Sequence, residues 1–167
     1  MFDLINGLPV HPLVVHAVVV LLPLAALGTI ALAVRPAWRR LYGVLVVGCA
    51  AVAAILTPVA TSSGEALEEH VGDPGVHAEL GDQLIWFVIP LLVLSAALVW
   101  LDRRRTADGT TSSRRATSPG LLRTVAALAL VAGLAATVQV YRVGDSGARA
   151  AWGDQVSSSS SSGSSSD

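Results

Sequence analysis

Four long stretches of apolar residues, separated by polar segments, dominate the pattern of this chain. A helix needs about 20 apolar residues to cross the hydrocarbon core of a bilayer, and a helix satisfies its own backbone hydrogen bonds there. Four segments meet this requirement, with no Asp, Glu, Lys or Arg away from their ends: residues 13–34, 41–60, 84–101 and 121–141. The pattern therefore predicts an all-α fold, an integral membrane four-helix bundle with up-down topology.

The polar segments between and after these spans complete the predicted organisation. Residues 61–71 place Leu67 and Val71 four positions apart among acidic side chains, so we expect a short amphipathic segment in the loop after the second span. Residues 1–155 form the predicted membrane domain. The serine-rich tail, residues 156–167, cannot bury a core and is expected to be disordered. No internal repeat of the solenoid kind is visible.

The arginines predict the orientation of the bundle. They lie in the connection between the first two spans and in the connection that joins or borders the last two, at Arg35, Arg39, Arg40, Arg103, Arg104, Arg105, Arg114, Arg115 and Arg123. Residues 61–83 contain no arginine and six acidic side chains. By the positive-inside rule, both arginine-bearing connections should be cytoplasmic and both termini outside. We expect a multi-pass protein of the bacterial inner (plasma) membrane.

The composition narrows the range of functions. Hydrophobic residues make up 53% of the chain and charged residues 14%, against about 25% charged in soluble domains. The lipid bilayer is therefore the predicted surrounding, and the net charge of −1 gives no reason to expect nucleic acid. No nucleotide-binding loop or His-Glu-x-x-His zinc motif occurs, and we predict no catalytic residue. The sequence thus leaves enzymatic activity open and favours a non-enzymatic role.

The histidines carry the only candidate chemistry. All four, His11, His16, His70 and His77, fall on or near the predicted outward side of the membrane. Neutral imidazole is an axial ligand of haem iron, and a bundle of apolar helices supplies a dry pocket. His11, His16 and His77 are therefore candidate ligands for haem b that would serve electron transfer, with membrane redox proteins as partners.

Two other hypotheses for these histidines remain open. One or more of them could join carboxylates in a metal site, for which the candidates are Glu65, Glu69 and Glu79, although their spacing matches no recognised motif. Alternatively, His16 hydrogen-bonds a backbone carbonyl freed near Pro12, or one on a neighbouring helix, and binds no ligand.

The whole protein also has an alternative interpretation. Small residues recur at four-residue spacing in the second and fourth spans, as in Ala50 and Ala54 or Ala129 and Gly133, and such faces let helices approach closely. A chain of this kind would also suit a non-catalytic accessory or scaffold subunit of a membrane complex.

Several motifs resemble one bacterial family. These are GLPVHPLVVH at residues 7–16, SGEALEE at 63–69, HAELGD at 77–82 and YRVGDSGARAAW at 141–152. Together they resemble the membrane family known as domain of unknown function 2231, over nearly the whole chain except the serine tail. The resemblance implies a four-helix membrane domain. Members of this kind can occur joined to redox modules, which favours haem binding or electron transfer.

Overall fold

The computed structural model describes residues 4–5, 8–71, 75–108 and 118–161, and the side chains of residues 11–66, 75–105 and 118–150. Two short strands precede the helices, and they pair antiparallel with Leu4 opposite Pro9. The elements are β1 Leu4–Ile5, β2 Leu8–Pro9, α1 Val10–Val34, α2 Trp38–Val71, α3 Val76–Asp82, α4 Ile85–Asp108 and α5 Pro119–Ser161. Four segments are long and apolar enough to cross a membrane, which confirms the predicted all-α membrane fold.

These segments are longer than the predicted spans. They cover His11–Val34, Trp38–Ala66, Val76–Arg105 and Pro119–Ala150. Residues 61–71, expected as an amphipathic loop segment, continue α2 without a break. Pro58 has no backbone N–H, so α2 lacks one helical hydrogen-bond donor there. The backbone oxygen of Pro58 accepts a hydrogen bond from the Ser62 hydroxyl at 2.7 Å. Helix α5 runs to Ser161 and includes the first serines of the predicted tail; residues 162–167 lie outside the described residues.

The long helices pack in a closed ring. Helix α1 contacts α2 and α5 extensively, and α4 contacts the same two helices, whereas α1 and α4 touch only slightly. Helix α3 leads directly into α4, because backbone hydrogen bonds such as Leu84 N to Gly81 O bridge the turn between them. The start of α1 lies beside the end of α2, where His11 meets Gly64, and Gly28 lies beside Val46. These contacts make α1 and α2 an antiparallel hairpin.

The core fills the centre of this ring in two apolar clusters. One cluster, which includes Val18, Leu22, Ala53 and Val88, lies towards the end that carries His11 and His77, which we call the histidine end. The other, which includes Leu32, Val46, Leu98 and Leu122, lies towards the end that carries Arg39 and Arg103–Arg105, which we call the arginine end.

Arg39 is buried at the arginine end, although the sequence analysis used it only to predict orientation. Its Nε donates to Leu32 O at 2.8 Å and its Nη2 to Ala33 O at 3.3 Å. These carbonyls belong to the last turn of α1, where no helical donor remains. Its Nη1 also lies 3.1 Å from the Asp102 carboxylate of α4, and the two side chains are only 5% and 17% exposed. Arg39 therefore caps α1 and ties three helices together.

Candidate histidine site

His11 joins the first turn of α1 to the end of α2. Its Nδ1 lies 2.9 Å from Ala60 O and 3.3 Å from Ser63 Oγ. The Ser63 hydroxyl donates to the same carbonyl at 3.0 Å. A carbonyl oxygen only accepts, so Nδ1 carries the proton when it makes this hydrogen bond. In the neutral ring, Nε2 then keeps its lone pair.

His77 makes the same set of contacts between α3 and α5. Its Nδ1 lies 3.2 Å from Val143 O and 3.2 Å from Ser146 Oγ. The Ser146 hydroxyl donates to Val143 O at 2.9 Å. The tautomer assigned to His11 therefore applies to His77 as well, and Nε2 is again the nitrogen with a free lone pair.

A glycine lies beneath each of these two imidazole rings. A Cβ added to Gly64 would lie 3.1 Å from Cε1 of His11, and one added to Gly147 would lie 2.9 Å from Cε1 of His77. Both distances are too short for a side chain without movement of the ring. Each site therefore consists of one histidine on one helix and a Ser-Gly pair on a neighbouring helix, Ser63-Gly64 or Ser146-Gly147.

The other predicted ligands lie apart from these contacts. His16 has an exposed side chain, and its Nδ1 hydrogen-bonds the carbonyl oxygen of Pro12 one turn earlier in the same helix. This geometry matches the hypothesis in which His16 satisfies a carbonyl near Pro12. The side chain of His70 lies outside the described part of the chain.

The candidate carboxylates do not gather around the histidines. Glu65 and Glu79 have exposed side chains, and the side chain of Glu69 lies outside the described residues. Among the side chains that the structure describes, no three His, Cys, Asp or Glu residues form a group that could hold a metal ion.

Gln139 makes a buried interhelical contact that was not predicted from the sequence. Its side chain is 1% exposed, and its Nε2 donates to Leu80 O of α3 at 3.1 Å. Arg142 Nη1 donates to Gln139 Oε1 at 3.3 Å. Gln139 therefore helps to hold α3, which carries His77, against α5. A glutamine inside an otherwise apolar span is the signal that could have identified it, because a buried amide needs a hydrogen-bond partner.

The motifs that surround these contacts also identify the family. A family model described as "Predicted membrane protein (DUF2231)" matches residues 7–160. The chain belongs to this family. The match includes both histidine sites and all four membrane-spanning segments. No curated protein and no solved structure matches the chain.

Proposed function

We propose that this DUF2231 protein binds haem b through His11 and His77 at the histidine end of its bundle and serves electron transfer in the bacterial inner membrane. The single observation that carries the proposal is the matched hydrogen bonding of the two imidazoles. Each Nδ1 donates to a backbone carbonyl, Ala60 O or Val143 O. In metal sites, a hydrogen-bond acceptor at one ring nitrogen orients the histidine whose other nitrogen binds the metal.

The residues present fit an axial haem ligand set. His11 and His77 would hold the group, because an imidazole nitrogen with a free lone pair is a suitable haem ligand, and the apolar side chains of the adjoining cluster, such as Val18 and Leu84, would keep water away. When bound, haem would supply a one-electron Fe(III)/Fe(II) couple. The chain itself binds the group, sets the ring orientations and excludes solvent. His16 is not included in the proposal because its side chain is exposed.

Purified protein tests this proposal directly. After haemin titration, the wild-type chain is expected to show a Soret band of low-spin, six-coordinate haem, and both His11→Ala and His77→Ala should lose that spectrum. His16→Ala is the matched control, because it removes an imidazole from the same helix as His11, and it should keep the band. A wild-type protein that is folded but remains colourless after titration would refute haem binding.

The second candidate function is a non-catalytic accessory or scaffold subunit. One observation favours it: the imidazoles of His11 and His77 already join helices through their contacts with Ser63 and Ser146. Structural contacts of this kind account for the histidines without a ligand. In that case His77→Ala would lower the melting temperature of the detergent-solubilised protein. Neither this variant nor the wild-type protein would bind haemin.

We place the histidine end on the outward side of the membrane and the arginine end on the cytoplasmic side. The exposed arginines at one end, among them Arg103 and Arg105, support this orientation. We expect a reporter that is active only in the cytoplasm to work when it is inserted at Gly109 and to fail at Pro74. Activity at Pro74 alone would reverse the orientation and would place the histidine site on the cytoplasmic side.

A further inference from the structure

The helices α1 and α3–α4 share one pattern of buried residues. At a constant offset of 66 residues, the difference between 77 and 11, His11 corresponds to His77. Five further pairs at this offset are buried in both helices: Val18 and Leu84, Leu22 and Val88, Ala25 and Leu91, Thr29 and Ser95, and Leu32 and Leu98. A run of matched buried positions over this length indicates that the two helices present equivalent faces to the core.

The helices α2 and α5 match in the same way. Their offset is 83 residues, the difference between 146 and 63. The pairs of apolar or glycine residues buried at this offset are Val46 and Ala129, Ala50 and Gly133, and Ala53 and Ala136. The histidine contacts follow at the same offset, since Ala60, Ser63 and Gly64 correspond to Val143, Ser146 and Gly147.

The order of the helices in the ring agrees with this correspondence. Helix α1 lies diagonally opposite α4, and each of them packs against both α2 and α5. A half-turn about the long axis of the bundle therefore exchanges α1 with α4 and α2 with α5 and preserves every major contact. The membrane domain consists of two helical hairpins, residues 10–71 and 76–161, related by a pseudo-two-fold axis along the bundle.

Other polar contacts between helices do not follow the axis. The counterpart of Arg39 is Leu122, and that of Gln139 is Leu56. The remaining candidate ligands also lack counterparts of their own type, because Glu65 corresponds to Ala148, Glu79 to Leu13 and His16 to Asp82. Among the residues described, the contact between a histidine and a Ser-Gly pair is thus the polar interhelical contact that occurs in both hairpins.

We propose that His11 and His77 are equivalent halves of one ligand site on the pseudo-two-fold axis, and that the site takes a single haem with one histidine on each face. This inference rests on the proposed haem binding and fixes its stoichiometry and symmetry. His11 is half-buried and lies seven and eleven positions before Val18 and Leu22 of the buried stripe of α1, and His77, also half-buried, lies at the same spacings before Leu84 and Val88. Residues at these spacings share one helix face, so each histidine continues the core-facing stripe of its hairpin at the histidine end, where its ring also packs against α2 or α5.

The iron of haem has two opposite axial positions, which suits two equivalent nitrogen donors across such an axis. The carboxylates Glu65 and Glu79 provide no equivalent pair. The alternative is that each hairpin holds a separate ligand beside its own Ser-Gly pair.

The number of haems bound per chain distinguishes one shared site from a separate site in each hairpin. The pyridine haemochrome assay is expected to give one haem per chain, and His11→Gly and His77→Gly should each abolish the six-coordinate spectrum to the same extent. Added imidazole should restore that spectrum in both variants, a rescue that a purely structural role would not produce. Two haems per chain, or loss of half the absorbance in either variant, would overturn the shared site while leaving haem binding itself intact. Absence of haem from the wild type would refute the function as well.

A cross-linking experiment tests whether positions 11 and 77 lie close together in the protein without haem. In a Cys49→Ala background, the pair His11→Cys and His77→Cys is expected to be linked within one chain by a short bismaleimide. The control pair, His11→Cys with Glu79→Cys, uses an exposed position on the same short helix as His77 and should not be linked. Linking of the control pair alone, in chains that elute as folded protein, would contradict a site on the axis.

Discussion

Replacement of Arg39 by alanine is expected to lower the free energy of unfolding by about 3–5 kcal/mol, the range found when one partner of a buried ion pair is removed. The variant leaves Asp102 without the arginine that lies 3.1 Å from its carboxylate. It also removes the donors to Leu32 O and Ala33 O at the end of α1. Titration of the detergent-solubilised protein with dodecyl sulfate, followed by circular dichroism of the helices, measures this loss.

Arg40→Ala is the matched control, because Arg40 is the next residue in the chain and its side chain is exposed. Its effect should stay within about 0.5 kcal/mol, as for most surface substitutions. The double variant Arg39→Met with Asp102→Leu should recover much of the stability, because two apolar side chains leave no buried charge. Equal stability of Arg39→Ala and Arg40→Ala would show that the ion pair contributes nothing measurable.

The membrane fold could be predicted because lipid imposes a simple requirement on sequence. An uncharged apolar run of sufficient length must form a helix, and each of the four runs does. The same requirement does not define where a helix ends outside the lipid. Helices α2 and α5 therefore continue beyond their predicted ends, to Val71 and Ser161, through polar residues that still permit helical hydrogen bonds.

The role of Arg39 could not be predicted from the arginine count. Every arginine near the end of a span supports the same orientation, whether its side chain is exposed, like that of Arg40, or buried, like that of Arg39. Asp102 was the available indication, since it is an acidic residue at the end of a span that is followed directly by three arginines. A buried partner for that carboxylate could have been expected on a neighbouring helix.

The histidine end shows a similar limit. The predicted topology places His11 and His77 on one side of the membrane. The Ser-Gly pairs that contact them are short, common dipeptides, so the sequence alone does not indicate which of them lies beside a histidine in the packed bundle. The correspondence between the two hairpins is hidden for the same reason, because Leu, Val and Ala replace one another at buried positions such as Leu22 and Val88 or Ala25 and Leu91. Burial reveals a correspondence that residue identity does not.

Replacement of Gly133 by leucine is expected to destabilise the bundle by about 1–3 kcal/mol, because extra side-chain atoms in a well-packed interface force the backbones apart. A Cβ at this position would lie 2.7 Å from Cγ1 of Ile30 and 3.1 Å from the backbone oxygen of Ala26. The Ile30 side chain can rotate, but the Ala26 carbonyl belongs to α1 and moves only with the helix. The titration with dodecyl sulfate used for Arg39 would measure the loss.

Gly48→Leu is the control for this prediction. Gly48 lies in α2, it is exposed, and a Cβ built there meets nothing within 4 Å. A leucine at this position faces lipid and should leave the free energy of unfolding unchanged or slightly increased, since glycine is the weaker helix former. Because Gly133 lies where α5 packs closely against α1, its variant should also weaken haem binding at the histidine end, whereas Gly48→Leu should not. If both variants are as stable as the wild type, the close approach of α1 and α5 is not what holds the two hairpins together.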